Sequence, residues 1–144
     1  MGQIAFVFSG QGDQRPGMGR QLAQSSQGAQ AVFAQCDALR PGTSAQCFFG
    51  TEQELRETAN TQPCLFAVEL AAAAALRERG IVPSAVAGFS LGEVAAAAYS
   101  GLVSLEDGFS LVCRRGTLMQ ACAEQQPTTM DAVLKLTEEQ VKEI

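Results

Sequence analysis

One pentapeptide constrains this chain more than any other feature. Gly88-Phe89-Ser90-Leu91-Gly92 stands between a short apolar run that starts at Ala85 and an alanine-rich stretch that reads as a helix ending near Gly101. A strand, a sharp turn and a helix in that order hold the serine in strained backbone with its Oγ exposed. The glycines two residues to either side let neighbouring backbone approach without a Cβ clash. The helix that follows aims its free N–H groups and positive dipole end at the turn. The N–H of Leu91 is then placed to stabilise an oxyanion on a carbonyl under attack. The pentapeptide by itself recurs by chance in many proteins. The strand before it and the helix after it are what make Ser90 a candidate nucleophile.

The rest of the chain repeats these layers. Ile4-Ala5-Phe6-Val7-Phe8 reads as a buried strand running into the glycine-rich loop Ser9-Gly10-Gln11-Gly12-Asp13. The spacing of Val32, Phe33, Cys36 and Leu39 predicts a helix over Gln27 to Leu39, ended by Pro41-Gly42. Thr51 with Glu54 is a capping box for a short helix reaching about Thr58, and Asn60 reads as the cap of a longer helix ending before Gly80. Ser104 with Asp107 opens a helix to Gln125, Met130 to Leu136 reads as a strand, and Thr137 with Gln140 is a second capping box. The expectation is an α/β fold, a parallel sheet flanked by helices around a strand–elbow–helix unit. A helix that begins so close to the last residue leads to the expectation of a fragment.

Composition removes several classes of function. With 47% hydrophobic and 17% charged residues in 144, the chain has material for a packed core and too little charge for disorder. The net charge is −5, and Arg114–Arg115 are the only adjacent basic residues seen, so nucleic acid is not an expected partner. The most apolar run, Cys64 to Leu76, contains Glu69 and falls short of the roughly 20 apolar residues a bilayer span needs, so no membrane is expected. The N-terminus has no basic segment followed by an apolar one, so it is not read as a signal peptide. The five cysteines are odd in number, lack C-x-x-C spacing and have no histidine beside them. They read as reduced, mostly buried thiols of a cytoplasmic protein, with no metal site.

Two further features bear on chemistry. The loop Ser9 to Gln14 fails as a dinucleotide fingerprint, because Arg15 stands where the third glycine belongs, and as a phosphate loop, because Met18 follows Gly17. It remains either an ordinary tight turn or the source of a second oxyanion N–H, from Gln11. On the helix after Ser104, the residues Phe109, Leu111, Val112, Leu118, Met119 and Cys122 form an apolar stripe that Arg115 shares and Arg114 does not. A buried guanidinium needs an anion. Glu93, a substrate carboxylate, or escape to solvent all answer that need at this level.

Taken together, these segments resemble the malonyl-CoA:acyl-carrier-protein transacylase family, whose fold also serves as the acyltransferase domain of polyketide and fatty-acid synthases. The resemblance is carried by Phe6-Val7-Phe8-Ser9-Gly10-Gln11-Gly12, Thr61-Gln62-Pro63, Gly88-Phe89-Ser90-Leu91-Gly92-Glu93 and Arg115-Gly116-Thr117-Leu118-Met119-Gln120, in the family's order. It implies a ping-pong transfer of a malonyl group from malonyl-CoA, through Ser90, to the phosphopantetheine thiol of acyl carrier protein. By the same resemblance Gln11 and Leu91 supply oxyanion amides, Arg115 clamps the malonyl carboxylate, and Gln62, Phe89 and Met119 line the acyl site. No metal or redox cofactor is implied. Residues 1–127 match the N-terminal part of the acyltransferase core, and residues 128–144 the start of a small ferredoxin-like subdomain.

The chain departs from the family at Ser9, usually proline, at Asp13, usually serine, and at Phe89, usually histidine. The last change removes a polar group beside the acyl site and bears on acyl selectivity. The chain also has no histidine, whereas the family's serine is activated by one from the C-terminal half, which also completes the sheet. The resemblance therefore implies that the chain alone is inactive and needs a complementary C-terminal segment. Two other readings compete: a serine esterase or lysophospholipase built on the same elbow, and a non-catalytic half-domain that binds a partner. Arg115 on an apolar stripe speaks against the first, since neutral esters need no buried cation.

Overall fold

The computed structural model describes residues 2–126, 133 and 135–143. Two short strands, β1 (Ala5–Phe8) and β2 (Ala85–Gly88), pair in parallel with Ala5 opposite Ala85 and Phe8 opposite Gly88. Five helices lie between them: α1 (Arg20–Ser25), α2 (Gln27–Leu39), α3 (Thr43–Phe49), α4 (Glu52–Arg56) and α5 (Thr58–Glu78). After β2 come α6 (Leu91–Tyr99), α7 (Leu105–Gln125) and α8 (Glu138–Lys142). Parallel strands need a long crossover, and the helical layer provides it.

The caps explain where most helices start. Ser26 accepts from the Ala29 N–H, Ser104 from the Asp107 N–H, and Thr51 with Glu54 closes a full capping box. Thr137 with Gln140 does the same for α8. Helices α1 and α3 were not expected. Their N-caps are Gly19 and Gly42, both left-handed, with no side-chain hydrogen bond to advertise the start. Asn60 is not the cap expected of the long helix. That helix begins at Thr58, and Asn60 lies inside it with its Nδ2 donating to the Glu54 carbonyl at 3.0 Å. Pro63 therefore sits in the second turn, where its missing N–H leaves the Ala59 carbonyl without its intrahelical donor.

Helix α5 is the centre of the core. Phe66 and Phe109 are fully buried and tilt against each other across α5 and α7, with ring centroids 5.9 Å apart. The strands are less covered than expected: side chains alternate along both, and Val7 is 77% exposed. Among the described residues each strand is paired on one edge only, while α6 packs on the sheet through Tyr99, its ring 5.5 Å from Phe6 and 5.9 Å from Phe8. The expected stripe on α7 also fails as one buried face. Gly108, Phe109, Val112 and Gly116 are buried, whereas Leu111, Leu118, Met119 and Cys122 are exposed. The strand expected at Met130 to Leu136 and the boundary between residues 127 and 128 fall largely outside the described residues. Among those residues, no helix is long and apolar enough to cross a membrane.

Candidate active site

The turn after β2 has the geometry its sequence predicts. Ser90 adopts φ 54° and ψ −104°, one of two non-glycine residues with positive φ among the described residues. Such backbone costs on the order of 1–3 kcal/mol and persists only where its surroundings enforce it. Here they do. A Cβ on Gly88 would collide with the backbone of Gly92 and Glu93, and a Cβ on Gly92 with the carbonyls of Phe8 and Ser9 at the end of β1. The Phe89 N–H donates to the Phe8 carbonyl at 3.1 Å. The start of α6 is thus pressed onto the end of β1, and Ser90 is left at the exposed apex.

Helix α7 delivers the cation. Nη2 of Arg115, a half-buried residue, donates to Ser90 Oγ at 3.2 Å. No carboxylate pairs with Arg115 among the described residues, and Glu93, the protein partner considered for it, is exposed. Close packing fixes α7 here. Gly116 lies so near α5 that a Cβ would stand 2.8 Å from the Thr58 carbonyl, and Gln120 Oε1 accepts from the Thr58 N–H at 2.9 Å.

The other expected site residues gather around the same two helix ends. Gln11 reaches Thr58, its Nε2 donating to Oγ1 at 3.1 Å, and so ties the loop after β1 to the start of α5. Gln62 is fully buried; its Nε2 donates to Met119 Sδ at 3.1 Å, and its Oε1 has no partner among the described residues. Met119 is 39% exposed and one turn beyond Arg115, so it carries the cation's side of α7 towards Gln62. Phe89 is 72% exposed, and its ring leaves no room for a Cβ on Gly10. Among the described residues, no protein acceptor takes the N–H of Gln11 or of Leu91, the first residue of α6.

Three partners of this network were not legible as such. Thr58 and Gln120 are ordinary polar residues until the helices cross. Glu69 gave a stronger signal, a lone carboxylate in the most apolar run of the chain. It accepts from Ser9 Oγ at 2.8 Å, and burial pushes its carboxyl up to about 7. Three of the five cysteines belong to the core; Cys113 is half-buried against it and Cys122 is exposed. All five thiols are free, with Cys36, Cys47 and Cys64 buried, and burial pushes Cys36 up to about 12.

An exposed hydroxyl at a strained elbow, a guanidinium on it and two unengaged amides nearby are the parts of a site that receives a carbonyl. Residues 5–144 match the family model described as the acyl transferase domain. The chain belongs to that family. It is 35% identical to the malonyl CoA-acyl carrier protein transacylase of Bacillus subtilis (strain 168), over all of this chain and 46% of that protein. It is 46% identical to the polyketide synthase GfsB of Streptomyces halstedii over 82% of this chain and 2% of that much longer protein. Among solved structures, the malonyl CoA-acyl carrier protein transacylase of Clostridium perfringens superposes with a TM-score of 0.82 at 32% identity, covering 99% of this chain and 45% of that one. The chain therefore spans about half the length of the transacylases it matches. Its helix-rich layers around a small parallel sheet are an incomplete α/β acyltransferase core.

Proposed function

We propose that this chain carries the nucleophile side of a malonyl-transfer site. Ser90 Oγ attacks the thioester carbonyl of malonyl-CoA, the C–S bond breaks, and coenzyme A leaves as its thiol. The malonyl-serine ester then passes its acyl group to the phosphopantetheine thiol of acyl carrier protein, which restores the hydroxyl. The amides of Gln11 and Leu91 receive the oxyanion. The observation that carries this reading is the Arg115 guanidinium, 3.2 Å from Ser90 Oγ and without a protein carboxylate among the described residues. A bidentate partner for it is the free carboxylate of a malonyl group. Met119 and Phe89 border the space that group would enter, Phe89 at its outer rim, and Gln62 stands buried behind Met119, to whose sulfur its Nε2 donates.

The same geometry bears on what the chain lacks. A serine hydroxyl needs a base, and the chain has no histidine. The group bonded to Ser90 is a guanidinium, which donates and cannot take a proton. In this reading the base comes from a complementary C-terminal segment, and the open two-stranded sheet is where that segment completes the core. Incubation with radiolabelled malonyl-CoA, read as acyl-Ser90, is the test. The chain alone is expected to label slowly, and rapid labelling would refute the need for an outside base. Joined to a histidine-bearing C-terminal half, it should label fast, and absence of label there would sink the transfer reading. In that joined protein, Arg115→Gln should lower malonyl labelling by about two orders of magnitude while sparing acetyl labelling. A neutral-ester hydrolase would show no such split.

A further inference from the structure

The least explained polar group in the core is Glu69. It projects from the middle of α5 towards the end of β1, into a cleft of about 290 Å³ lined otherwise by apolar side chains of β1 and α5 together with Ser9. One carboxyl oxygen accepts the Ser9 hydroxyl at 2.8 Å, and the other is buried without a partner among the described residues. A carboxyl kept at that cost has a use beyond packing, because an apolar side chain of similar size would fill the cleft without the penalty.

Its position indicates the use. Ser9 is the residue at which β1 becomes the loop bearing Gln11. On the other side of that junction the elbow leaves no slack: Gly92 lies on the Phe8 and Ser9 carbonyls, and Phe89 lies on Gly10. Helix α5 then holds the same loop twice, at Ser9 through Glu69 and at the Gln11 side chain through Thr58, points about 16 Å apart along its axis. A backbone amide cannot be aimed by its own side chain, so its direction depends on such anchors to either side of it.

We propose that Glu69 is a positioning residue for the oxyanion loop: through the Ser9 hydroxyl it fixes where β1 ends and thereby where the Gln11 N–H points. This rests on the reading of Gln11 as an oxyanion donor. The Ser9 hydroxyl is the required counterpart of the carboxyl, since a residue without a donor at that position could not be held this way.

Hydrogen exchange followed by mass spectrometry on the chain tests this without substrate, so a failure of malonyl transfer leaves the measurement intact. In Glu69→Ala and in Ser9→Ala, the peptide spanning residues 5–12, which carries the β1 amides paired with β2 and the Gly12 N–H held by Gln14, should exchange about tenfold faster, while peptides from α7 keep their wild-type rates. Glu69→Gln, which still offers a carbonyl oxygen to Ser9, should return the loop to within about threefold of wild type. Unchanged exchange in Ser9→Ala, or a Gln variant as fast as the Ala variant, would overturn the proposal. If Glu69→Ala loosens α7 as well, Ser9→Ala, whose partner chain of contacts lies at the edge of the core, decides.

Discussion

Helices α5 and α7 are both 21 residues long, yet the fold uses them differently. Eleven residues of α5 are buried, against four of α7, so α5 is enclosed while α7 is held along a narrow line. That line is made of small residues and one aromatic: Gly108 under Phe66, Phe109, Val112, and Gly116 on the start of α5. The division places Arg115. A helix buried all round could not present a cation to an exposed hydroxyl, and a helix packed by bulky side chains could not bring its backbone so near. The enclosed helix serves as the frame, and the partly covered one brings the charge to the site.

The largest effect that follows from this contrast lies at Phe66, fully buried on α5 against Phe109. Phe66→Ala should cost about 3–5 kcal/mol, enough to unfold a domain of ordinary stability, as read from urea unfolding. A cost below about 1 kcal/mol would mean that α5 is not the enclosed frame described above.

A second, smaller effect separates the helices by pH. Burial raises the Glu69 carboxyl from 4.5 to about 7. Between those values the folded chain holds a proton that the unfolded chain has released, so stability should fall as pH rises through that window and be fullest below it. The other charged group bearing on Glu69 is Asp13 of the adjoining loop, which pushes the same way; its neighbours in the cleft from β1 and α5 are apolar. Glu54, held low by hydrogen bonds from Thr51, and Glu78, held low by Ser26 and Gly28, act in the opposite sense and only as pH drops below 4.5. The expected loss is about 1–3 kcal/mol, reduced because solvent still reaches part of the carboxyl. Thermal unfolding at pH 5 and pH 8 should show it in the wild type and not in Glu69→Gln.

How far the sequence could be read follows from the same contrast. The elbow was legible because two glycines and a serine at fixed spacing have one strained conformation to adopt between strand and helix, and Ser90 adopts it. Helix α2 was legible from Gln27 to Leu39 because its period and its end at Pro41-Gly42 agreed. Helices α1 and α3 were hidden, since a glycine N-cap in left-handed backbone leaves no mark of the kind Ser26 or Thr51 leaves. The spacing on α7 correctly set Arg115 apart from Arg114, but it could not say how much of the apolar face has a neighbour. Continuous apolar runs likewise marked β1 and β2 without revealing that Val7 would face outward. Periodicity describes a side chain's direction; burial depends on what lies in that direction.

The smallest effect tests that last distinction. Leu111 and Leu118 are 52% and 55% exposed on the outer side of α7. If that side faces water, Leu118→Ser removes little buried area, and the unfolding free energy read from urea titration should change by no more than about 0.5 kcal/mol. Leu118 also lines an open cleft of about 650 Å³ with Leu39 and Phe109, so the same substitution reports on whether another surface closes over it. A loss that grows with protein concentration would show that copies of the chain cover α7 in solution, and the helix would then be enclosed on both sides, as α5 is. A small, concentration-independent change keeps the two helices distinct and leaves Phe109 and Val112, not the outer leucines, as what holds Arg115 in reach of Ser90.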